Sequence, residues 1–203
     1  MFTLILRNSW EVECSFIDTL TLEHATLAAA EGFIQPLSKS LETDVDNHLK
    51  LAEFGFQFHF RGEFLGFTLF QHQEDLLMGA GMQIRPFAQG HGLVKQAILL
   101  AKEITGANFL AYKTQNPRMW QVGERLCSVW TPTVECGFAN KDVDGARNRV
   151  ADFMGIETTT LKRFYGQALY GKKPTHWDEG IQEWWDSVCN FEQGDSVLCV
   201  GKF

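Results

Sequence analysis

The sequence predicts a mixed α/β (α+β) domain in which helices flank a central, mostly antiparallel sheet. Three observations predict it. A helical repeat gives way near residue 54 to strict alternation, with Phe54, Phe56, Phe58 and Phe60 separated by Gly55, Gln57 and His59. A glycine-broken turn from Gln89 to Val94 then joins an apolar run of strand length to the clearest helical pattern in the chain. The order strand, helix, strand between residues 76 and 113 implies a parallel crossover within the same sheet.

Taken in order, residues 2–6 are an apolar run of strand length, followed by polar residues. Thr21 to Phe33 reads as a helix with Leu22, Ala25, Ala29 and Phe33 on one face. A second helix is expected from Thr43, where Thr43 and Asp46 resemble an N-terminal cap and Val45, Leu49 and Ala52 recur at helical spacing. The Phe-rich strand, an Arg61-Gly62-Glu63 turn, a return strand from Phe64 to Gln71 and a third strand from Leu76 to Ile84 make an antiparallel meander. Gly92 to Thr105 is a helix with Leu93, Ala97, Leu100 and Ile104 recurring at helical spacing and Gly106 closing it. Asn108 to Lys113 is a short strand, and Asn116-Pro117 opens a helix running to Cys127. Beyond it a strand is expected at Val129–Cys136, helices at Val143–Phe153 and Leu161–Leu169, and a last strand at Asp195–Gly201. No repeat or linker-like tract marks a boundary, so residues 1–138 read as the core. Residues 139–203 read as a C-terminal elaboration packed on the same domain and ending in a strand.

At 203 residues, 45% hydrophobic and 21% charged, the chain suits one soluble globular domain. Its 17 Phe and 6 Trp exceed what packing requires, which suggests a cleft for an apolar or extended ligand. A net charge of −7 argues against nucleic acid as a partner and permits a cationic amine. Cys14, Cys127, Cys136, Cys189 and Cys199 show no Cys-x-x-Cys spacing, and the histidines show no ligand spacing, so no metal is expected. The first residues lack a secretory pattern and no apolar run spans a bilayer; the expectation is a cytoplasmic protein without membrane association. Gly166 to Lys173 comes within one residue of a P-loop, but it lacks the Ser or Thr that would hold magnesium and its interior is bulky. Trp177, Trp184 and Trp185, among acidic residues, fit a packed amphipathic helix.

The stretch that carries chemistry is Met82-Gln-Ile-Arg-Pro-Phe-Ala-Gln-Gly-His-Gly-Leu-Val94. A turn between a strand and a helix start leaves backbone N–H groups pointing outward, with the positive end of the helix dipole behind them. Gly90 and Gly92 let the main chain approach a bulky diphosphate. This stretch resembles the signature of the GCN5-related N-acetyltransferases, a strand ending apolar-x-apolar-x-Pro followed by Gln/Arg-x-x-Gly-x-Gly/Ala. Met82, Ile84 and Pro86 match the strand end, Gln89 the first signature position and Gly92 the central glycine; Val94 stands where the family prefers Gly or Ala. The order of elements over residues 1–138 is also similar.

The resemblance implies a GNAT-like acyl-CoA N-acyltransferase fold and acetyl-CoA, or another acyl-CoA, as co-substrate. Met82, Gln83 and Ile84 would line the pantetheine arm, the backbone of Met82 and Ile84 pairing with it like an added strand. Gln89, Gly90, His91, Gly92, Leu93 and Val94 would take the pyrophosphate, and Asn116 would lie near the thiol end. The implied reaction is direct attack of a small-molecule amine on the thioester, which needs a base and an acid. The family's usual acid, a tyrosine seven residues after the helix-opening asparagine, is replaced here by Gly123. Tyr112 is the candidate acid, with Cys127 and Tyr165 as alternatives; Glu74 is the candidate base, beside His72 and Asp75. The alternative is a non-catalytic GNAT-like binding or assembly protein, of a kind known among phage proteins, that has lost the acid and part of the loop. A homodimer, built on residues 140–203 as an arm, is compatible with either.

Overall fold

The computed structural model describes residues 2–6, 9–135, 137–156 and 160–203. Its contacts resolve into two units, Met1–His72 with Gly79–Gly106, and Gln73–Met78 with Ala107–Phe203. Both are helix-flanked sheets, mostly antiparallel, as expected.

In the first unit the strand order is β1 (Phe2–Ile5), β2 (Glu11–Phe16), β3 (Phe54–Phe60), β4 (Glu63–Gln73) and β5 (Leu76–Ile84), the last through its Gly79–Ile84 part. β1, β2, β3 and β4 pair antiparallel in sequence order. Strand β2 was not expected, because Glu11-Val-Glu-Cys-Ser-Phe16 reads as polar. Its burial nevertheless alternates, with Val12 and Cys14 inward and Glu11 and Glu13 outward, the mark of a strand wet on one side. Burial raises the pKa of the Cys14 thiol to about 11. Strand β3 is enclosed more fully than its alternation suggests: Phe56 and Phe58 are buried, and so is Gln57, whose amide donates to the Phe16 carbonyl and the Thr19 hydroxyl.

Helices α1 (Leu22–Glu31) and α2 (Leu41–Leu51) cover this sheet. Thr21 and Ser40 cap them, accepting from the His24 and Thr43 amides, so α2 starts before the expected Thr43. Ala25, Ala28 and Ala29 let α1 approach Phe64, Phe67 and Leu69 closely. Helix α3 (Leu93–Thr105) closes on Gly106 at φ +69°. Its buried residues are Leu93, Ala97, Ile98 and Ala101, whereas Ile104 is 48% exposed. The buried face thus runs along Ala97 and Ala101, where small side chains permit close packing, and leaves Ile104 outside.

In the second unit the start of β5 neighbours β6 (Phe109–Thr114). The Asp75 carbonyl accepts from both Asn108 and Phe109 N–H, so the two strands leave one point in the same direction, the expected parallel crossover. β9 (Ser196–Lys202) pairs antiparallel with β6 on one side and, on the other, with β7 (Val129–Thr131) and β8 (Thr160–Leu161). The last strand in sequence therefore lies between β6 and β7, and the intervening segment is an excursion from the sheet. That segment carries α5 (Lys141–Met154), which packs Val143, Ala146 and Val150 on Leu76, Met78, Ala111, Leu198 and Val200. It also carries α6 (Glu179–Val188), which buries Trp185, leaves Trp177 before it 63% exposed, and sets Trp184 and Trp185 at a tilt against Trp120 of α4 (Pro117–Glu124).

Three expectations fail here. The helix opened by Asn116 ends at Glu124. The strand after Val129 stops at Thr131, before Pro132, which has no N–H to give; Cys136 lies outside the described residues. Leu161–Leu169 forms turns after β8, not a helix, because its amides find partners elsewhere. Arg163 N–H donates to the Asp195 carboxylate, Tyr165 N–H to the Gly194 carbonyl and Leu169 N–H to the Gln115 side chain. Asp195 is wholly buried; burial pushes its pKa up, but bonds from Lys162 and from the Arg163 and Asn190 amides more than offset this, leaving it low.

Candidate active site

At the end of β5, Arg85 N–H donates to the Leu65 carbonyl, and Pro86–Ala88 makes a single 3₁₀ turn that buries Ala88. The Gln89 side chain folds back, its amide donating to the Ile84 carbonyl at 2.8 Å, and so stays out of the turn ahead. Gly90 and Gly92 follow at φ +82° and +91°, and a methyl group on either would meet nothing within 4 Å. Only glycine adopts such angles without strain, and here the space beside each is open.

Gly92 is the residue on which α3 starts. Helices α1, α2, α4, α5 and α6 each begin on a capping side chain, from Thr21, Ser40, Asn116, Asn140 and Asp178. Helix α3 has no such cap and no acidic residue in its first turn. Its first i→i−4 bond runs from Gln96 N–H to the Gly92 carbonyl, so the amides of Leu93, Val94 and Lys95 come before any helical acceptor. The dipole behind them favours an anion.

His91 is fixed from the side: its ring stacks on Trp10 at 4.8 Å, and Trp10 stacks on Phe60 at 4.6 Å. This stack is invisible to sequence reasoning, because Trp10 sits in a stretch without periodicity. Arg85 is fully engaged. Its guanidinium holds Glu31 through two nitrogens at 2.7 and 2.9 Å and donates to the Phe64 carbonyl at 3.0 Å, and the bond to Arg85 lowers the Glu31 pKa. Met82 and Gln83 are half-buried on β5, and Ile84 is buried. The Gln83 carbonyl and the Ile84 backbone press on Gly66 of β4, where a Cβ would come within 2.2 Å of that carbonyl.

In the second unit, Asn116 caps α4, its side-chain oxygen accepting from Arg118 N–H at 2.9 Å. Gly123, on the same helix, is where the resemblance would put a tyrosine. A Cβ there would lie 2.1 Å from the Trp130 ring and 2.6 Å from the Tyr112 hydroxyl. Trp130 in turn lies over Gly201 of β9, whose Cβ would meet the same ring at 2.3 Å. The indole is slotted between two glycines, and its volume excludes a side chain at position 123. Tyr112 is buried and donates to the Met119 carbonyl at 2.7 Å, and burial drives the phenol's pKa well up. Cys127 lies against Gly201, and burial also raises the Tyr165 pKa.

Glu74 and Asp75 form the turn before β5, with Glu74 at φ +55°. Arg149 of α5 binds both, one guanidinium nitrogen 2.9 Å from Glu74 and the other 2.8 Å from Asp75. His72 N–H donates to the Glu53 carboxylate at 2.9 Å. The stretch resembling a P-loop is held by the Gln115 bond to Leu169 N–H and by the pairing of Lys173 with Asp186. Among the described residues no cluster of His, Cys, Asp and Glu could hold a metal ion, and no helix is long and apolar enough to cross a membrane.

No family model matches the sequence, and no curated protein matches it. Solved structures do match the fold. The IAA acetyltransferase from Bacillus cereus ATCC 14579 aligns at a TM-score of 0.53 and 10% identity, over 95% of this chain and 99% of that one. The ribosomal-protein-S18-alanine N-acetyltransferase from Escherichia coli aligns at 0.51 and 13%, over 94% and 93%. The GNAT domain of S. lividans PAT aligns at 0.50 and 14%, over 67% and 92%. The chain has the fold of the GNAT acetyltransferases.

Proposed function

We propose that the chain is an acyl-CoA-dependent N-acyltransferase that moves an acyl group, acetyl in the simplest case, from sulfur to an amine. The observation that carries this reading is the uncapped start of α3 behind two left-handed glycines with open space beside them. The fold supports it as well. In this reading the pyrophosphate takes the amides from Gly90 to Lys95, and the pantetheine runs along Met82, Gln83 and Ile84. The amine nitrogen attacks the thioester carbonyl, the C–S bond breaks, and one amine proton and the thiolate leave. With Tyr112 committed to the Met119 carbonyl, the thiolate takes its proton from water; for Glu74 to act as base it must first release Arg149. Calorimetric titration with CoA tests the site, and radiolabelled acetyl-CoA with a panel of amines tests the transfer. Absence of saturable heat with CoA would sink the reading.

A second reading is a non-catalytic protein of the same fold, favoured by one observation: Trp130 fills the place of the usual acid. It is selected if neither acyl transfer nor slow thioester hydrolysis occurs.

A further inference from the structure

In the second unit one lysine is half-buried without a carboxylate partner among the described residues. Lys113 lies on β6 opposite Leu198 of β9, half-buried, with its ammonium 5.2 Å from the centroid of the Phe164 ring. Lys50, Lys162 and Lys173 each pair with an acid, Asp46, Asp195 and Asp186 respectively; Lys113 has no such partner among the described residues. Burial lowers its pKa, the sign of a charge that lacks solvation.

Two hydroxyls belong to the same place. Ser196 is two residues before Leu198 on β9, so its side chain emerges on the face that Lys113 shares. Ser196 is wholly buried, and its Oγ has no well-formed hydrogen bond among the described residues. The Tyr165 hydroxyl lies against it, and the Tyr165 ring meets Phe164 edge-on at 5.0 Å. An unpaired ammonium and an orphan hydroxyl on one face, under an aromatic cover, share one complement. It is a small anion with two or more acceptor oxygens and an organic body that packs on Phe164.

We propose that Lys113, Ser196 and Tyr165 form a subsite for the carboxylate of the amine acceptor, which makes that acceptor an amino acid rather than a simple amine. The word acceptor rests on the acyl-transfer reading above; the carboxylate subsite stands on these side chains alone. Lys113 takes one carboxylate oxygen and the hydroxyls donate to the other. An amine without the carboxylate leaves the ammonium and the serine unpaired, and that unpaired state is the source of discrimination.

Calorimetric titration of the full chain, with and without CoA, compares each standard amino acid with its decarboxylated amine. At least one amino acid should bind at least tenfold more tightly than its amine. Lys113→Met should abolish the preference and Lys113→Arg should retain it, with thermal melts confirming that both fold. No amino acid bound in either condition, or a preference that survives in folded Lys113→Met, overturns the proposal. Should Lys113→Met fail to fold, Ser196→Ala reads the same ratio: a fall of threefold or more supports the subsite and an unchanged ratio overturns it. CoA binding without amino-acid binding removes the subsite only. Lys113-dependent amino-acid binding without CoA binding supports the subsite and removes the acyl-CoA reading.

Discussion

At Gly123 a missing side chain is explained by its neighbours. The Trp130 indole, inserted between Gly123 and Gly201, occupies the volume that a tyrosine on α4 would need, and the Tyr112 hydroxyl closes the remaining side. Replacing one residue does not restore an acid, because the slot is already full. Gly123→Ala should destabilise the fold by about 1–3 kcal/mol, the range for overpacking a closed core, as read by urea unfolding. A variant as stable as the parent would show that Trp130 moves freely. The glycines of the β5–α3 turn predict the opposite pattern. A Cβ at Gly92 meets nothing within 4 Å, and it projects into the space proposed for the diphosphate. Gly92→Val should cost about 1–3 kcal/mol through its left-handed backbone and weaken CoA binding by tenfold or more. Calorimetry on the folded variant checks this, and undiminished CoA affinity would move the diphosphate elsewhere.

Among the elements, the Phe-rich meander, α3 and the strand after it were legible because a single period runs through each. The turn before α3 was legible too, since glycine spacing in front of an apolar repeat has a local physical cause. Strand β2 was obscured because one of its faces carries only Glu11, Glu13 and Ser15. The turns after β8 were unreadable for another reason: the amides of Arg163 and Tyr165 bond to residues about thirty positions later and that of Leu169 to Gln115 far upstream, and Asp195 provides the anchor. The Trp130 slot was hidden in the same way, being a tertiary contact between α4, β7 and β9. Asp195 also sets a pH dependence. Its folded pKa is depressed, so its contribution is complete above the ordinary carboxyl range near 4 and is lost as pH falls through the folded value. Asp195→Asn would put an amide group where N–H donors already converge, costing about 3 kcal/mol at pH 7. Urea unfolding from pH 7 to pH 3 should show the gap between wild type and Asp195→Asn closing only below about pH 4. A gap independent of pH would mean that the carboxylate charge is not what ties these segments together.

For the whole molecule, charge and site oppose each other in sign. The chain carries −7, and CoA is itself a polyanion, so the long-range field repels the proposed ligand. Attraction must then come from short-range donors. Arg85, the cation next to the turn, is neutralised by Glu31 and Glu63. Among the described residues of the turn and the first turn of α3, what remains are the backbone amides, with Lys95 as the charge beside them. A site of lysines and arginines loses affinity steeply as salt rises, whereas an amide site within a repulsive field does not, because salt screens the repulsion more than it weakens dipoles at contact distance. CoA affinity should therefore stay level or rise, by up to about threefold, as sodium chloride is raised from about 50 to about 300 mM. Calorimetry at the two concentrations decides the matter. A tenfold fall would show that cationic side chains, not the uncapped helix, hold the diphosphate.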